Sequence, residues 1–470
     1  MSSKTEPVKF GTDGWRGIIA DTYTFVNVRR VALATALVFK NHRNINNGIV
    51  IGYDTRFQSK EFAHAAAEVF ADQGIKVTLT DSFVTTPTVS LLARDLKCVL
   101  GVMITASHNP FQYNGYKLKD EFGGSMDPEE ITKIENELKN IKEVEQKKSF
   151  DELLSSGIIK YFNGNEYYYD YLKNKISTDK IKNANLNVIY DAMYGAGQNI
   201  INRFIDIKQL HGELNPGFGK NAPEPVEKNL TEICADIKKG NYSIGIVTDG
   251  DADRIAVIDE KGDFLDAQKT FALLLRYLFE KKGMKGKVVR GFSTSELIKK
   301  YCEKNGIELV TVPIGFKHIS KIMITDDVLI GAEESGGIGI KGHLPERDGV
   351  FNGMLYLEML AEYGKSISEL KKELDDEFGK YFYQRNDVRT TEEKKLKTLE
   401  TCKALKAGDE IGGKKIISTD DLDGYKFYFD NGWIIIRASG TEPLLRIYCE
   451  TTTTDQTKDI LNKTIGQFGL

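Results

Sequence analysis

The stretch Gly101-Val-Met-Ile-Thr-Ala-Ser-His-Asn-Pro110 joins an apolar run to a polar turn. The apolar residues 99–104 predict a buried strand. The run stops at small and polar residues, and the Asn109-Pro110 pair favours a turn. Ser107 is therefore predicted on a tight loop beyond the carboxyl end of a strand, which is where open α/β sheets bind ligands. A capped surface turn is the alternative for this loop taken alone.

Strands and helices alternate on both sides of this loop, which predicts α/β units with parallel sheets covered by helices. The predicted strands lie at residues 48–53, 76–79, 187–190, 242–247, 287–290, 308–312 and 328–331. The predicted helices lie at 60–73, 87–95, 166–176, 270–281 and 295–304. From residue 381 onward β-rich segments dominate and a helix closes the chain at 455–468, which predicts a smaller α+β domain.

At 470 residues the chain is too long for a single core. A highly charged stretch at residues 129–149 indicates a solvated helix followed by a connector, and further changes in composition suggest three more domains. The predicted domains are residues 1–150, 151–258, 259–375 and 376–470. The fold class is thus α/β, with three related α/β domains that have mixed or parallel sheets and a C-terminal α+β domain.

The composition is that of a soluble globular protein, with 41% hydrophobic and 28% charged residues. A net charge of −4 gives no reason to expect nucleic acid or an anionic membrane as a partner. The N-terminal residues lack the apolar core of a signal peptide, and no apolar run approaches the roughly 20 residues of a membrane span. The five scattered cysteines show no paired spacing. We therefore expect a cytoplasmic protein.

A second polar loop, Thr248-Asp-Gly-Asp-Ala-Asp-Arg254, follows the predicted strand at 242–247. Asp249, Asp251 and Asp253 alternate, so an extended backbone would place the three carboxylates on one side. Such a cluster is repulsive unless a cation holds it, and oxygen ligands suit Mg²⁺. An exposed acidic turn is one alternative. A calcium-binding EF-hand is excluded because the loop lacks its later glycine and glutamate.

A third loop, Ala332-Glu-Glu-Ser-Gly-Gly337, also follows a predicted strand. The overlapping segment 337–342 fits G-x-G-x-x-G, but Pro345 and Gly349 interrupt any following helix, so a dinucleotide site is not indicated. Three loops at the ends of three strands could line one cleft. A glycine-rich turn is the alternative for this loop alone.

Two further segments carry arginines among small residues. The glycine-dense segment Phe10-Gly-Thr-Asp-Gly-Trp-Arg-Gly17 lets the backbone approach a ligand closely, although a surface hairpin would also explain it. Arg437-Ala-Ser-Gly-Thr-Glu-Pro443, followed by Arg446, combines guanidinium groups, hydroxyls and exposed backbone. That combination predicts a phosphate cradle, with a plain hairpin turn as the alternative. Arg56, after the strand at 48–53, faces the same edge or forms a structural ion pair.

Five of these segments together resemble the α-D-phosphohexomutases, and most closely the phosphoglucomutases and dual phosphoglucomutase/phosphomannomutases. The similar motifs are the segments 10–17, 105–110, 248–254, 333–349 (Glu333-Glu-Ser335 with His343-x-x-Glu-x-Asp-Gly349) and 437–443. They occur in the family's order along nearly the whole chain. The resemblance implies four domains around a central cleft, Mg²⁺, and a glucose 1,6-bisphosphate intermediate that can also prime the enzyme. It implies a small-molecule sugar phosphate as the partner, with the oligomeric state, monomer or dimer, left open.

The resemblance also assigns roles to individual residues. Ser107 is the phosphoryl carrier and, once phosphorylated, a metal ligand together with Asp249, Asp251 and Asp253. Lys117 is the first candidate for the general base, His343 a weaker candidate for the complementary role, and His108 is expected to shape the loop. Arg16 and Arg254 add positive charge. Glu333, Ser335 and Lys317 are expected to contact the substrate, and the second phosphate would be held by Arg437, Ser439, Gly440, Thr441 and Arg446.

These residues predict a mutase that interconverts hexose 1-phosphate and hexose 6-phosphate, with glucose favoured. A phosphomannomutase, a phosphoglucosamine mutase and a phosphopentomutase are the enzymatic alternatives. A non-catalytic sugar-phosphate-binding protein would be expected to have lost Ser107 or an aspartate, and all are present. A serine hydrolase of the G-x-S-x-G type is not indicated because that motif is absent.

Overall fold

The first domain is built on a six-stranded mixed sheet with the order β1-β5-β4-β2-β3-β6 in a computed structural model that describes residues 8–439 and 443–470. Four strands are parallel, whereas β5 is antiparallel to β4 and β1 to β5, so the predicted parallel sheet is mixed. Its elements are β1 (Trp15–Ile18), α1 (Phe25–Phe39), β2 (Ile49–Tyr53), α2 (Ser59–Asp72), β3 (Val77–Thr80), α3 (Thr86–Asp95), β4 (Gly101–Ile104), β5 (Tyr113–Lys119), α4 (Pro128–Leu138), α5 (Phe150–Ser155) and β6 (Ile159–Phe162).

The second domain has a five-stranded sheet with the order β11-β10-β9-β7-β8. Strand β10 is antiparallel to both of its neighbours, β9 and β11, and the other pairs are parallel. Its elements are α6 (Gly164–Lys173), α7 (Thr178–Asn183), β7 (Val188–Asp191), β8 (Lys208–Leu210), α8 (Thr231–Lys239), β9 (Ile244–Thr248), β10 (Ile255–Ile258) and β11 (Phe264–Leu265).

The third domain has a four-stranded sheet with the order β13-β12-β14-β15, and only β15 is antiparallel. Its elements are α9 (Ala267–Arg276), β12 (Lys287–Gly291), α10 (Glu296–Asn305), β13 (Leu309–Val312), α11 (Phe316–Thr325), β14 (Val328–Ala332), β15 (Ile338–Ile340), α12 (Gly349–Tyr363) and α13 (Ile367–Phe378).

The C-terminal domain has an antiparallel sheet with the order β16-β22-β21-β20-β19 and the separate hairpin β17-β18. Its elements are β16 (Phe382–Arg389), α14 (Glu392–Ala404), β17 (Glu410–Ile411), β18 (Lys414–Lys415), β19 (Ser418–Asp420), β20 (Tyr425–Phe429), β21 (Gly432–Ala438), β22 (Leu444–Thr451) and α15 (Thr454–Gln467). The predicted fold class is therefore confirmed.

Strand pairing carries the first sheet past residue 150 and the second sheet past residue 258. β6 pairs with β3 in the first sheet although it lies beyond residue 150, because the charged connector is followed by α5, which packs Leu153 into the first core. β11 pairs with β10 beyond residue 258, and α13 continues past residue 375 to Phe378. The composition change thus marks the exposed connector rather than the last strand of each sheet.

All four sheets share one feature that positions the site. In each, two antiparallel strands that are neighbours in the sheet flank a loop motif in the sequence: β4 and β5, β9 and β10, β14 and β15, and β21 and β22. In the first three sheets, whose loops lie within the described residues, the connecting loop projects beyond the ends of the two strands. The sequence predicts that each loop follows a strand, and the structure adds that an antiparallel strand of the same sheet follows each loop.

The domains also pack on one another. Helix α12 lies on β9 and β10 of the second sheet, so the second and third domains share one hydrophobic core. A smaller apolar cluster joins the third and fourth domains through Phe292, Ile314, Trp433, Ile435 and Tyr448. In the described part of the chain, no helix has the length and apolarity needed to cross a bilayer.

Candidate active site

The serine loop is fixed by buried polar contacts from the first domain. Ser107 is 1% exposed and adopts a left-handed backbone conformation with a φ of 51°. Its backbone N–H donates to Thr105 Oγ1 (2.8 Å), and Thr105 donates to Asp54. Arg56 pairs with Asp54 and donates to the carbonyl oxygens of Ser107, Asn109, Pro110 and Tyr113. Arg56 therefore both faces this edge and forms an ion pair, and it holds the loop in place.

The second domain brings its aspartate loop directly against the serine. Ser107 Oγ donates to Asp249 Oδ2 at 2.7 Å, although the two residues are 142 positions apart in the chain. The loops approach so closely that a Cβ at Gly250 would lie 2.4 Å from the Ser107 carbonyl oxygen. Thr86, at the start of α3, donates through its hydroxyl to Asp251 at 2.5 Å. The predicted serine and aspartate loops thus form one corner between two domains.

The three aspartates form a candidate cation site. Asp249, Asp251 and Asp253 are fully buried, and each offers a carboxylate oxygen within 4.8 Å of the others. Oδ1 of Asp251 and Oδ1 of Asp253 are buried without a hydrogen-bond partner. A buried, unpartnered carboxylate oxygen is costly, and oxygen ligands from carboxylates suit Mg²⁺. The residues present therefore fit a divalent cation.

The carboxylates of this cluster differ in proton affinity. Burial, together with the charges of Asp253 and Asp251, raises the pKa of Asp249 well above its usual value. Burial acts in the same direction on Asp251, but Lys117 and Thr86 outweigh it and lower the pKa of Asp251. In the described structure, the cluster therefore relies on neighbouring cations and donors to carry its charge.

Lys117 projects from β5 into this cluster. Its Nζ lies 2.8 Å from Asp251 Oδ2, 2.9 Å from Asp253 Oδ2 and 2.9 Å from Asp13 Oδ2. Burial disfavours the ammonium, but the carboxylates outweigh burial and raise the pKa of Lys117. These ion pairs favour the protonated form of Lys117, whereas a general base acts in its neutral form, and the role of general base stays a prediction.

A second buried cation, Arg347, lies beside Lys117. Its Nη2 is 2.7 Å from Asp253 Oδ2 and 2.5 Å from Asp13 Oδ2, and its Nη1 is 3.4 Å from Glu333 Oε2. Burial alone would raise the pKa of Asp13, but the charges of Lys117, Lys119 and Arg347 hold it well below its usual value. Three domains therefore contribute charges to one buried network.

Arg16 and Arg254 give the serine loop a positive surrounding. Arg16 Nη1 donates to Asn109 Oδ1 within the serine loop at 2.7 Å, and Arg254 Nε is buried without a hydrogen-bond partner. Burial and the nearby charges of Arg254, Arg16, Lys117 and Arg56 lower the pKa of His108 well below its usual value. These surroundings therefore favour the neutral form of His108.

The third-domain loop carries a carboxylate with high proton affinity. Glu333 is 7% exposed, and burial raises its pKa to about 7 despite Arg347. Ser335 is half-buried on the same loop. His343 lies apart from these acceptors: its ring stacks on Phe351, Nε2 contacts Asp348 at 2.8 Å, and Nδ1 contacts Tyr171 at 3.1 Å. Both ring nitrogens of His343 are therefore engaged in this structure, and its role in proton transfer stays a prediction.

The fourth domain presents two arginines side by side. Arg437 and Arg446 are cross-strand partners on β21 and β22, so their side chains share one face of the sheet. Arg437 Nε donates to Asp423 Oδ1 (2.9 Å), and Asp423 also accepts from the backbone of Ile314, three residues before Lys317. Ser439 is buried at the end of this hairpin. The predicted contacts Gly440 and Thr441 lie outside the described residues.

Several residues of the site were not identified from the sequence. Asp13, Glu346 and Arg347 lie inside motifs quoted from the sequence but have no predicted role there, and Thr86 and Lys119 belong to none of the motifs. Lys119 forms an ion pair with Glu346 that is fully buried. The alternation of side chains along β5 could have indicated that Lys119 belongs to the site, since Lys117 and Lys119 point to the same side of that strand.

Comparison with known proteins places the whole chain in one family. The phosphoglucomutase/phosphomannomutase α/β/α domains I, II and III match residues 7–145, 166–262 and 266–378, and the C-terminal domain matches residues 387–466.

Full-length relatives agree with this assignment. A phosphoglucomutase/phosphomannomutase of Thermococcus kodakarensis is 29% identical over 96% of both chains. A phosphoglucosamine mutase of Methanocaldococcus jannaschii is 31% identical over 93% of both chains. The crystal structure of a Thermus thermophilus protein provisionally described as a phosphomannomutase superposes with a TM-score of 0.87, at 31% identity and 99% coverage of both chains. The chain thus belongs to the α-D-phosphohexomutases and is a phosphotransferase of the mutase class.

Proposed function

We propose that the protein interconverts hexose 1-phosphates and hexose 6-phosphates through a phosphorylated Ser107, with glucose phosphates as the preferred substrates. The observation that carries this proposal is the 2.7 Å contact between Ser107 Oγ and Asp249, in a cluster with two unpartnered carboxylate oxygens. The Ser107 hydroxyl lies beside a candidate cation site, and Arg16 and Arg254 add positive charge near its loop. Phosphoryl transfer requires such surroundings.

In the first half-reaction, the bond between phosphorus and Ser107 Oγ breaks and a bond between phosphorus and a free sugar hydroxyl oxygen forms. The hydroxyl loses its proton, Ser107 leaves as the alkoxide and is then reprotonated, and the sugar becomes a 1,6-bisphosphate. Lys117, whose Nζ lies 2.8 Å from Asp251 and 2.9 Å from Asp253, would supply the proton that Ser107 takes up, and the proton released by the sugar hydroxyl would replace it on Lys117. In the second half-reaction, the other phosphoryl group returns to Ser107 by the reverse exchange.

Asp249, Asp251 and Asp253 would hold Mg²⁺, with Ser107 as a further ligand once it is phosphorylated. Bound Mg²⁺ supplies positive charge that stabilises the transferring phosphoryl group. The protein's own contribution at this corner is orientation: Arg56 and Thr105 fix the serine loop, and Arg16 and Arg254 offer charge to the phosphoryl oxygens.

The phosphate that does not react must be held at a distance from Ser107. Arg437 and Arg446 lie opposite one another, an arrangement that is repulsive unless an anion lies between or above them. Together with Ser439, Gly440 and Thr441, and with Lys317 from the third domain, they would bind this phosphate. The bisphosphate then turns over in the cleft so that each phosphate can occupy each position.

Glu333 and Ser335 would contact two sugar hydroxyls and so select the sugar. A second candidate substrate is a glucosamine phosphate. It is favoured by the Glu334 carboxylate oxygen that is buried without a hydrogen-bond partner beside Glu333, because two neighbouring carboxylates suit an ammonium group. The 31% identity to a phosphoglucosamine mutase supports the same candidate.

Initial rates test the proposal. They are measured with the 1-phosphates of glucose, mannose, glucosamine and ribose, at fixed Mg²⁺ and with the matching bisphosphate as primer. We expect the largest kcat/KM with glucose 1-phosphate. A larger value with glucosamine 1-phosphate that falls selectively in Glu334→Gln would establish the second candidate. The absence of turnover with all four sugars would refute the mutase function. The reaction belongs to sugar-phosphate metabolism in the cytoplasm.

A further inference from the structure

Arg347 occupies a junction that the reaction scheme above does not use. It precedes Asp348, the residue that caps α12, and its side chain is 5% exposed. Its guanidinium contacts four carboxylates from three domains: Asp13 of the first domain, Asp253 of the second, and Glu333 and Glu346 of the third.

The contacts of Arg347 differ in length, which indicates that the carboxylates compete for its guanidinium group. The contacts from Nη2 to Asp13 and Asp253 are 2.5 and 2.7 Å, whereas Nη1 reaches Glu333 at 3.4 Å. A planar guanidinium can serve one or two carboxylates with good geometry, but not four. Glu333 therefore has a longer and weaker ion pair with Arg347 than Asp253 has.

Carboxylates also outnumber cations in this network. In the described structure, five carboxylates share three cations through ion pairs, with Lys117 and Lys119 joining Arg347 on the positive side. The carboxylates are Asp13, Asp251, Asp253, Glu333 and Glu346. Because each cation is shared, a change at one carboxylate alters the contacts of the others.

We infer that Arg347 is a positioning residue that couples the sugar-recognition loop to the cation site through its shared contacts with Glu333 and Asp253. The inference rests on the proposed function of both loops. A divalent cation on Asp253 weakens the attraction between Asp253 and Arg347, so Arg347 moves its interaction toward Glu333. Glu333 is then held in place to accept hydrogen bonds from the sugar. Since coupling between two binding sites is reciprocal, the sugar must in turn tighten cation binding.

Equilibrium binding of Mn²⁺, followed by the electron paramagnetic resonance signal of the free ion, tests this coupling without relying on turnover. The titrations are made alone, with glucose 1-phosphate, and with inorganic phosphate, which supplies the anion but not the sugar. In the wild-type protein we expect glucose 1-phosphate to tighten Mn²⁺ binding by about 10-fold and inorganic phosphate to have a smaller effect.

In Arg347→Gln and in Glu333→Gln we expect the extra effect of the sugar to fall below about 2-fold. Arg347→Gln should also bind Mn²⁺ several-fold more tightly in the absence of sugar, because it removes a competing cation. Arg290→Lys is the matched control, since Arg290 is a buried arginine of the same domain whose partners, Glu296 and Ser295, lie outside the network. It should keep the wild-type coupling.

Retention of the full sugar effect in Arg347→Gln would overturn the inference. So would weaker Mn²⁺ binding by this variant without sugar, which would indicate a merely structural role. If Arg347→Gln does not fold, Arg347→Lys supplies the test: because it keeps a positive charge, it should keep the wild-type Mn²⁺ affinity in the absence of sugar but lose at least half of the sugar effect. Failure of the proposed function is distinguishable, because the wild-type protein itself would then show neither turnover nor an effect of glucose 1-phosphate.

Discussion

The corner around Ser107 and the face around Arg437 are organised in opposite ways. At the serine corner nearly every charge is buried and already paired across a domain boundary, as with Lys117, Asp251 and Asp253. On the fourth-domain face, Arg437 and Arg446 are half-buried, and Arg446 reaches Asp387 only at 4.0 Å. The comparison indicates a corner that is preorganised for chemistry and a face that is prepared for an anion that arrives and leaves.

Removing the hydroxyl from the preorganised corner should have the largest effect. Ser107→Ala should lower mutase activity by at least about 10⁴-fold, because the phosphoryl carrier is lost while the fold is kept. Coupled-assay rates measure the effect, and Ser82→Ala, which removes the hydroxyl of a half-buried serine of the same domain, should behave as the wild-type protein. Near-normal turnover by Ser107→Ala would remove the serine from the mechanism.

The next largest effect should come from the cation site at the same corner. Asp251→Asn should lower activity by about 10²- to 10³-fold and weaken Mn²⁺ binding, because a ligand charge is lost. Asp191→Asn is the control: Asp191 is also a buried aspartate at the end of a strand in the second domain, but it pairs with His211. An unchanged Mn²⁺ titration for Asp251→Asn would contradict the assigned metal loop.

On the fourth-domain face the effect should be smaller and should fall on binding. Arg437→Ala should raise KM by about 10- to 100-fold with a lesser change in kcat, since a charge-assisted contact to the second phosphate is worth about 1.5–3 kcal/mol. Arg385→Ala, in which the lost arginine pairs with Asp387 of its own strand, should change KM less. Should Arg437→Ala lower kcat alone, the arginine would belong to the chemistry rather than to binding.

The smallest effect concerns Glu333, which lies between the two regions. Its pKa is raised from 4.5 to about 7, first by burial, so the folded protein binds more protons than the unfolded chain between these values. The free energy of unfolding should therefore fall as pH rises from about 4.5 to about 7, by about 1 kcal/mol per pH unit, and level off above pH 7. Thermal unfolding across this range should show the fall in the wild-type protein but not in Glu333→Gln. Parallel curves for the two proteins would show that folding does not raise the pKa of Glu333.

The sequence predicted the loops of the site better than the elements between them. Each loop is a contiguous motif after an apolar strand, so local pattern suffices to find it. By contrast, α1 and α12 were missed, because they are largely buried, apolar on most sides and thus lack the alternation of polar and apolar faces that marks an amphipathic helix. Strand β5 was missed because its buried lysines look like surface residues in a sequence.

The network inside the corner could not be predicted from spacing. Asp13 and Arg347 are 334 residues apart, and no local pattern shows that they meet. The same holds for the charge state of Lys117, which depends on carboxylates from two domains. Sequence motifs therefore identified which loops take part, whereas the ion pairs that join the loops follow only from the domain packing.

The account depends most directly on the chemical fate of Ser107. Intact-mass measurement before and after incubation with glucose 1,6-bisphosphate and Mg²⁺, followed by peptide mapping, tests it. We predict the gain of a single phosphoryl group that maps to Ser107. Phosphorylation at another residue, or no gain in mass by a folded protein under conditions of turnover, would contradict the account.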